Sequence, residues 1–118
     1  MREALRVLLV EDSTDDAELV LQELVRAGLQ PDLRRVDSAA DMSEALAQQR
    51  WDIVISDYNL PGFSGADALD LVRQHSGYVP FILVSGRIGE EEAVAMMKAG
   101  ADDYVMKDRL MRLAPASG

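Results

Sequence analysis

Five short apolar runs rich in β-branched residues recur along this chain at nearly regular intervals, and segments of helical period fill the spaces between them. The runs are Arg6 to Val10, Leu33 to Val36, Ile53 to Ser56, Phe81 to Val84 and Tyr104 to Met106. The first, third and fourth are close to continuously apolar, which is the pattern of strands buried on both faces of a parallel sheet. Helices must then cover both faces. Strand and helix alternating at this spacing call for right-handed crossovers, and so for an α/β fold with an open, doubly wound parallel sheet.

The intervening segments carry the signals such helices need. Ala17, Val20, Leu21, Leu24 and Val25 fall on one stripe at helical spacing, with Ser13 or Thr14 placed to cap the start and Gly28 to end it. A second helix fits Ala40 to Arg50, with Ser38 as its cap and Asp41 three residues on, close to a capping box. A third fits Gly65 to Gln74. A fourth fits Glu90 to Ala99, where Glu90, Glu91 and Glu92 suit the positive end of the helix dipole and Gly100 closes it. No internal repeat or low-complexity stretch interrupts the alternation.

A chain of 118 residues with 48% apolar side chains can bury one core, so residues 1–118 read as a single domain. The net charge of −9 repels a phosphate backbone and an anionic membrane surface alike, which argues against nucleic-acid and membrane partners. With no cysteine there are neither disulfides nor thiolate metal sites. No apolar run approaches membrane-spanning length and no signal-peptide pattern opens the chain, so a cytoplasmic location is expected.

Ligands of a doubly wound sheet bind outside the carboxyl ends of its strands, and the residues there are informative. After the first strand come Glu11 and Asp12, after the third Asp57, after the fourth Ser85 and Gly86, and after the fifth Lys107. Carboxylates drawn within about 5 Å repel by about 3 kcal/mol per pair at an effective dielectric of about 20, so the cluster calls for a cation or for protonation of one member. Oxygen ligands without His or Cys point to Mg²⁺, with Mn²⁺ as the alternative. Lys107, Ser85 and Gly86 suit phosphoryl chemistry, and Asp57 is the expected acceptor, since a carboxylate can attack phosphorus to form an acyl phosphate. Each residue alone has a plainer explanation as a cap or a solvated charge. Their convergence from four strand ends favours the functional one.

Together the pair Glu11-Asp12, the segment Asp57-Tyr-Asn-Leu-Pro-Gly, Ser85-Gly86 and Lys107 resemble, in order and over nearly the whole chain, the receiver domains of two-component response regulators. The resemblance implies a flavodoxin-like sheet of order 2-1-3-4-5 and phosphoryl transfer from a histidine kinase or histidine phosphotransfer domain to Asp57. It further implies Mg²⁺ held by Asp12, Asp57 and the backbone carbonyl of Asn59, with Glu11 acting through water. Ser85 and Lys107 would bind the phosphoryl oxygens, and Ser85 and Tyr104 would form the switch that reshapes a partner-docking face. Such a domain is an enzyme only in assisting its own phosphorylation and dephosphorylation.

Several positions depart from the family pattern. Ser85 replaces the commoner threonine, and Asp108 stands where proline usually follows the lysine, so a trans bond or a rearranged loop is expected after Lys107. Asn59 and Arg87 occupy positions that tune acyl-phosphate lifetime in the family. Pro115 cuts short the helical pattern of Asp108 to Leu113, so the fifth helix is expected to be short, one sheet face partly bare, and the chain a fragment of a longer hybrid or multidomain protein with a sensor or effector domain. A homodimer is left open. The competing reading is a non-phosphorylated interaction module on the same fold. A dehalogenase-type phosphatase would want a second aspartate at position 59, and a flavin binder an uncharged phosphate loop after the first strand; neither is present.

Overall fold

The computed structural model describes residues 4–60, 62–76, 78–86 and 89–106. Within them the chain runs β1 (Leu5–Val10), α1 (Thr14–Arg26), β2 (Pro31–Val36), α2 (Ala39–Gln48), β3 (Ile53–Asp57), β4 (Asn59–Leu60), β5 (Phe63–Ser64), α3 (Gly65–Ser76), β6 (Phe81–Ser85), α4 (Glu90–Ala99) and β7 (Asp103–Met106). Five strands form one parallel sheet in the order β2-β1-β3-β6-β7. Counting only those strands, this is the expected 2-1-3-4-5 order of a flavodoxin-like, doubly wound sheet.

The continuously apolar runs are the central strands. Val7, Leu8, Leu9 and Val10 of β1, Val54 and Ile55 of β3, and Leu83 and Val84 of β6 are all buried. Their side chains alternate between two cores. Leu8, Val10, Val54 and Leu83 pack with residues of α2, α3 and α4 on one face, and Val7, Leu9, Ile55, Val84 and Val105 pack under α1 on the other. This alternation follows from the two-residue period of a strand.

The helices begin where the polar residues allow. Ser13 caps α1, its Oγ accepting from the Asp16 amide at 3.2 Å, and Ser38 caps α2 in the same way through the Asp41 amide at 3.1 Å. Gly28 and Gly100 follow α1 and α4 in the left-handed region, at φ 87° and 120°. Beyond shifts of one or two residues at other element ends, such as α3 running on to Ser76, three details differ from the sequence expectation. In α1, Ala17, Val20 and Leu24 are buried, whereas Val25 is 55% exposed. At about 100° per residue Val25 lies at the margin of the stripe that those three define. Helix α2 stops at Gln48 rather than Arg50, because Trp51 turns in against it and donates its Nε1–H to the carbonyl of Ala45 at 2.9 Å. An unexpected hairpin, β4–β5, precedes α3, with Gly62 at φ 84° in its turn. The expected fifth helix, Arg87 and the bond after Lys107 lie outside the described residues.

Candidate functional site

The strand ends converge at one edge of the sheet. The ladder between β1 and β2 runs one residue beyond Val10, so that Glu11 donates its amide to the carbonyl of Val36 at 2.9 Å. The Glu11 carbonyl accepts from Arg35 Nη1 at 3.0 Å, and its Oε2 accepts from the Ser13 amide at 3.2 Å. Groups from three described residues therefore hold Glu11, which is only 2% exposed. Asp12, next in the chain, is exposed.

Asp57 is the last residue of β3, paired in register with Val84 of β6, and is 7% exposed. Two neighbouring groups confine its main chain. The buried Ser56 hydroxyl donates to the Asp57 carbonyl at 2.8 Å. Next to it α3 starts at Gly65, whose amide donates to Tyr58 O at 2.8 Å. A Cβ at position 65 would lie 3.2 Å from the Asp57 carbonyl oxygen and 3.1 Å from the Tyr58 Cα, so glycine is what lets the helix begin this close to the strand.

Carboxylate oxygens of Glu11, Asp12 and Asp57 lie within 4.8 Å of one another. Burying two of three carboxylates in such a group is costly unless hydrogen bonds or a cation offset the charge. The donor set is all oxygen, which suits a hard divalent ion and not a thiophilic one. The structure thus brings together all three acidic residues expected of the site.

Ser85, the last residue of β6, stands one step beyond the register partner of Asp57 and is 2% exposed. Tyr104 on β7 pairs in register with Leu83 of β6, is half-buried against the core shared by α2, α3 and α4, and borders a groove of about 440 Å³ with Ala93, Val94, Met97 and Lys98. The backbone of Asn59 opens the β4–β5 hairpin two residues after Asp57. Lys107 lies outside the described residues.

Sequence reasoning missed Arg35, Ser56 and the constraint at Gly65. A serine closing the apolar run Ile53-Val54-Ile55 was a visible signal for Ser56. Arg35 offered none, since its partner stands 24 residues away in the chain. A cavity of about 730 Å³ opens at the opposite edge of the sheet, bordered by Trp51, His75, Tyr78 and Val79, far along β3 from the acidic cluster.

Residues 7–114 match the response regulator receiver domain family. Among curated relatives, the chain is 36% identical over 104 residues to the response regulator protein FleR of Pseudomonas aeruginosa, covering 88% of this chain and 22% of FleR. It is also 36% identical over 104 residues to the probable transcriptional regulatory protein TcrX of Mycobacterium tuberculosis, covering 86% of this chain and 42% of TcrX. The chain therefore spans less than half the length of these relatives. Among solved structures, the signal receiver domain of a putative LuxO repressor protein from Vibrio parahaemolyticus superposes with a TM-score of 0.80 at 30% identity, covering 94% of this chain and 87% of that one. The receiver domain of a P. aeruginosa sensor histidine kinase, solved with a magnesium ion coordinated in its active site cleft, shares the fold with a TM-score of 0.75 at 22% identity, over 95% of each chain. By its matched residues, its relatives and its strand order, this chain belongs to the response regulator receiver domain family of two-component signalling.

Proposed function

We propose that the chain is a phosphoryl-accepting switch in which Asp57 takes a phosphoryl group from the phosphohistidine of a histidine kinase or histidine phosphotransfer domain. The observation that carries this reading is the approach of the Glu11, Asp12 and Asp57 carboxylates to within 4.8 Å at the carboxyl edge of the sheet. In the transfer, a carboxylate oxygen of Asp57 attacks phosphorus, an O–P bond forms, and the N–P bond breaks with its electron pair returning to the imidazole.

Asp12, Asp57 and the backbone carbonyl of Asn59 would hold Mg²⁺, or Mn²⁺ in its place, with Glu11 acting through water. When bound, the ion offsets the repulsion between the carboxylates and the incoming phosphoryl oxygens. The magnesium-bound relative supports this choice of ion. The neighbouring chain groups have separate tasks. Ser85 would donate its hydroxyl to a phosphoryl oxygen, and Lys107, which follows directly on Met106, would neutralise another. A new dianion beside Ser85 and Tyr104 biases a two-state equilibrium of the face on which Tyr104 lies, and a partner reads that face.

The chain reads as one domain of a longer cytoplasmic signalling protein, since its curated relatives extend well beyond it. No described helix is long and apolar enough to cross a membrane. Incubation with acetyl phosphate and Mg²⁺ tests the proposal by intact-protein mass. The expected result is a gain of one phosphoryl group that is absent without Mg²⁺ and abolished by Asp57→Asn. No gain in the unsubstituted protein removes the reading.

A further inference from the structure

Among the described cations, Arg35 is the one whose guanidinium hydrogen-bonds a residue of the acidic cluster. Its backbone pairs with Leu9 of β1, and Leu9 packs under α1, so Arg35 lies on the α1 side of the sheet near its carboxyl edge. There Nη1 donates to the Glu11 carbonyl at 3.0 Å and stands 3.6 Å from Asp37 Oδ2. The side chain is 33% exposed, so it is anchored at its tip and not held by burial.

What it anchors is the peptide that joins the two acidic residues of the first loop. The amide of Glu11 is fixed by Val36 O and its carboxylate by the Ser13 amide. The Glu11 carbonyl belongs to the same planar unit as the Asp12 amide. Rotation of that plane would swing the Asp12 α-carbon, and with it the exposed carboxylate, relative to Asp57. The bond from Arg35 opposes that rotation.

We propose that Arg35 is a positioning residue for the cation site: by holding the Glu11 carbonyl it sets the orientation of the Glu11–Asp12 peptide and so raises the affinity of the acidic cluster for Mg²⁺. The inference rests on the reading of that cluster as a metal site. It runs against simple electrostatics, which gives the two accounts opposite signs. A positive charge beside a cation site weakens cation binding, so a purely coulombic Arg35 would leave Mg²⁺ bound more tightly when removed.

Titration with Mg²⁺ alone, followed by the amide NMR shifts of Glu11, Asp12 and Ser13, decides between them. Arg35→Ala is expected to raise the Mg²⁺ Kd by about tenfold, the lower end of what loss of a partner that orients metal ligands usually costs. Arg35→Lys, which keeps a donor within reach of the carbonyl, is expected to restore most of the affinity. In the metal-free protein, hydrogen exchange at the Ser13 amide should quicken in Arg35→Ala and recover in Arg35→Lys. Should the alanine variant not fold, Arg35→Met keeps the aliphatic stem and takes its place with the same expectations. An unchanged or lower Kd in the variant lacking the guanidinium overturns the proposal. Failure of the unsubstituted protein to bind Mg²⁺ would instead overturn the reading of the site itself, so the two failures are separable.

Discussion

At Gly65 the strand that ends in Asp57 and the helix after it come closer than a side chain tolerates. A Cβ there would meet Leu83 Cδ1 at 2.9 Å as well as the backbone of Tyr58 and Asp57. The leucine methyl can move, but the two backbone contacts sit on the residues that carry the proposed acceptor. Gly65→Ala gains some helix propensity, yet the overpacking outweighs it, and the net expected loss is about 1 to 2 kcal/mol. Urea unfolding should show a lower midpoint with an unchanged slope. Ser56 bears on the same backbone, since its hydroxyl is fully buried and bonded to the Asp57 carbonyl. Ser56→Ala removes that bond and is expected to cost about 1 kcal/mol, read in the same unfolding experiment.

At the scale of elements, the hairpin and the start of α3 form one unit behind Asp57. Ser64 and Asp67 cap α3 reciprocally: the Asp67 amide donates to Ser64 Oγ at 3.3 Å, and the Ser64 amide donates to Asp67 Oδ2 at 3.1 Å. Ser64→Ala should lower stability by about 1 kcal/mol in thermal unfolding. The sequence Ser-Gly-Ala-Asp contains this signal in plain sight, yet the hairpin before it escapes reading, because strands of two residues have no period to detect. The five sheet strands were legible for the opposite reason. Burial on both faces writes itself into β1, β3 and β6 as unbroken apolar runs. The edge strand β2 is harder to delimit, since it starts at Pro31 two residues before the first apolar side chain of its run, a place where an edge strand tolerates proline. Within the site, Glu11, Asp12, Asp57 and Ser85 were legible because strand ends are fixed by the runs themselves. Arg35 was not, because only the pairing of β2 with β1 brings it to Glu11.

Taken whole, the molecule differs in chemistry between its two edges. At the edge away from the acidic cluster, Asp102 ties three segments together. It accepts from the Phe81 amide at 2.8 Å and the Tyr78 hydroxyl at 2.7 Å, while Arg73 stands 3.8 Å away and donates to the carbonyls of Val79 and Gly100. The hydrogen bond to Asp102 holds the Tyr78 hydroxyl above the ordinary tyrosine pKa of 10.0, with desolvation and the Asp102 charge acting in the same direction and Arg73 against them. A pKa raised on folding means that the protonated hydroxyl stabilises the fold, fully below pH 10 and progressively less as pH climbs through the higher folded value. Thermal unfolding above pH 10 should therefore fall less steeply in Tyr78→Phe than in the unsubstituted chain.

The acidic edge works the other way, since there the fold holds like charges together in a protein that already carries a net charge of −9. Binding of a cation to the folded state alone must then appear as stability. Mg²⁺ at about a hundred times its Kd contributes about 2.7 kcal/mol, which in a domain of this size is a Tm rise of about 10 °C. Asp12→Asn separates charge from architecture, because Asp12 is the exposed member and its removal leaves the buried pair in place. Losing one charge of the cluster should stabilise the metal-free protein by about 1 kcal/mol per relieved contact, at the screened end of the coulombic range for a solvent-facing group. The same substitution should remove most of the Mg²⁺-dependent rise. Calorimetric scans of both proteins in chelator and in Mg²⁺ would show the two curves cross: the variant melts higher without the ion and lower with it. If Mg²⁺ leaves the Tm of the unsubstituted protein where it was, the three carboxylates are not a cation site, and their repulsion must be offset within the chain.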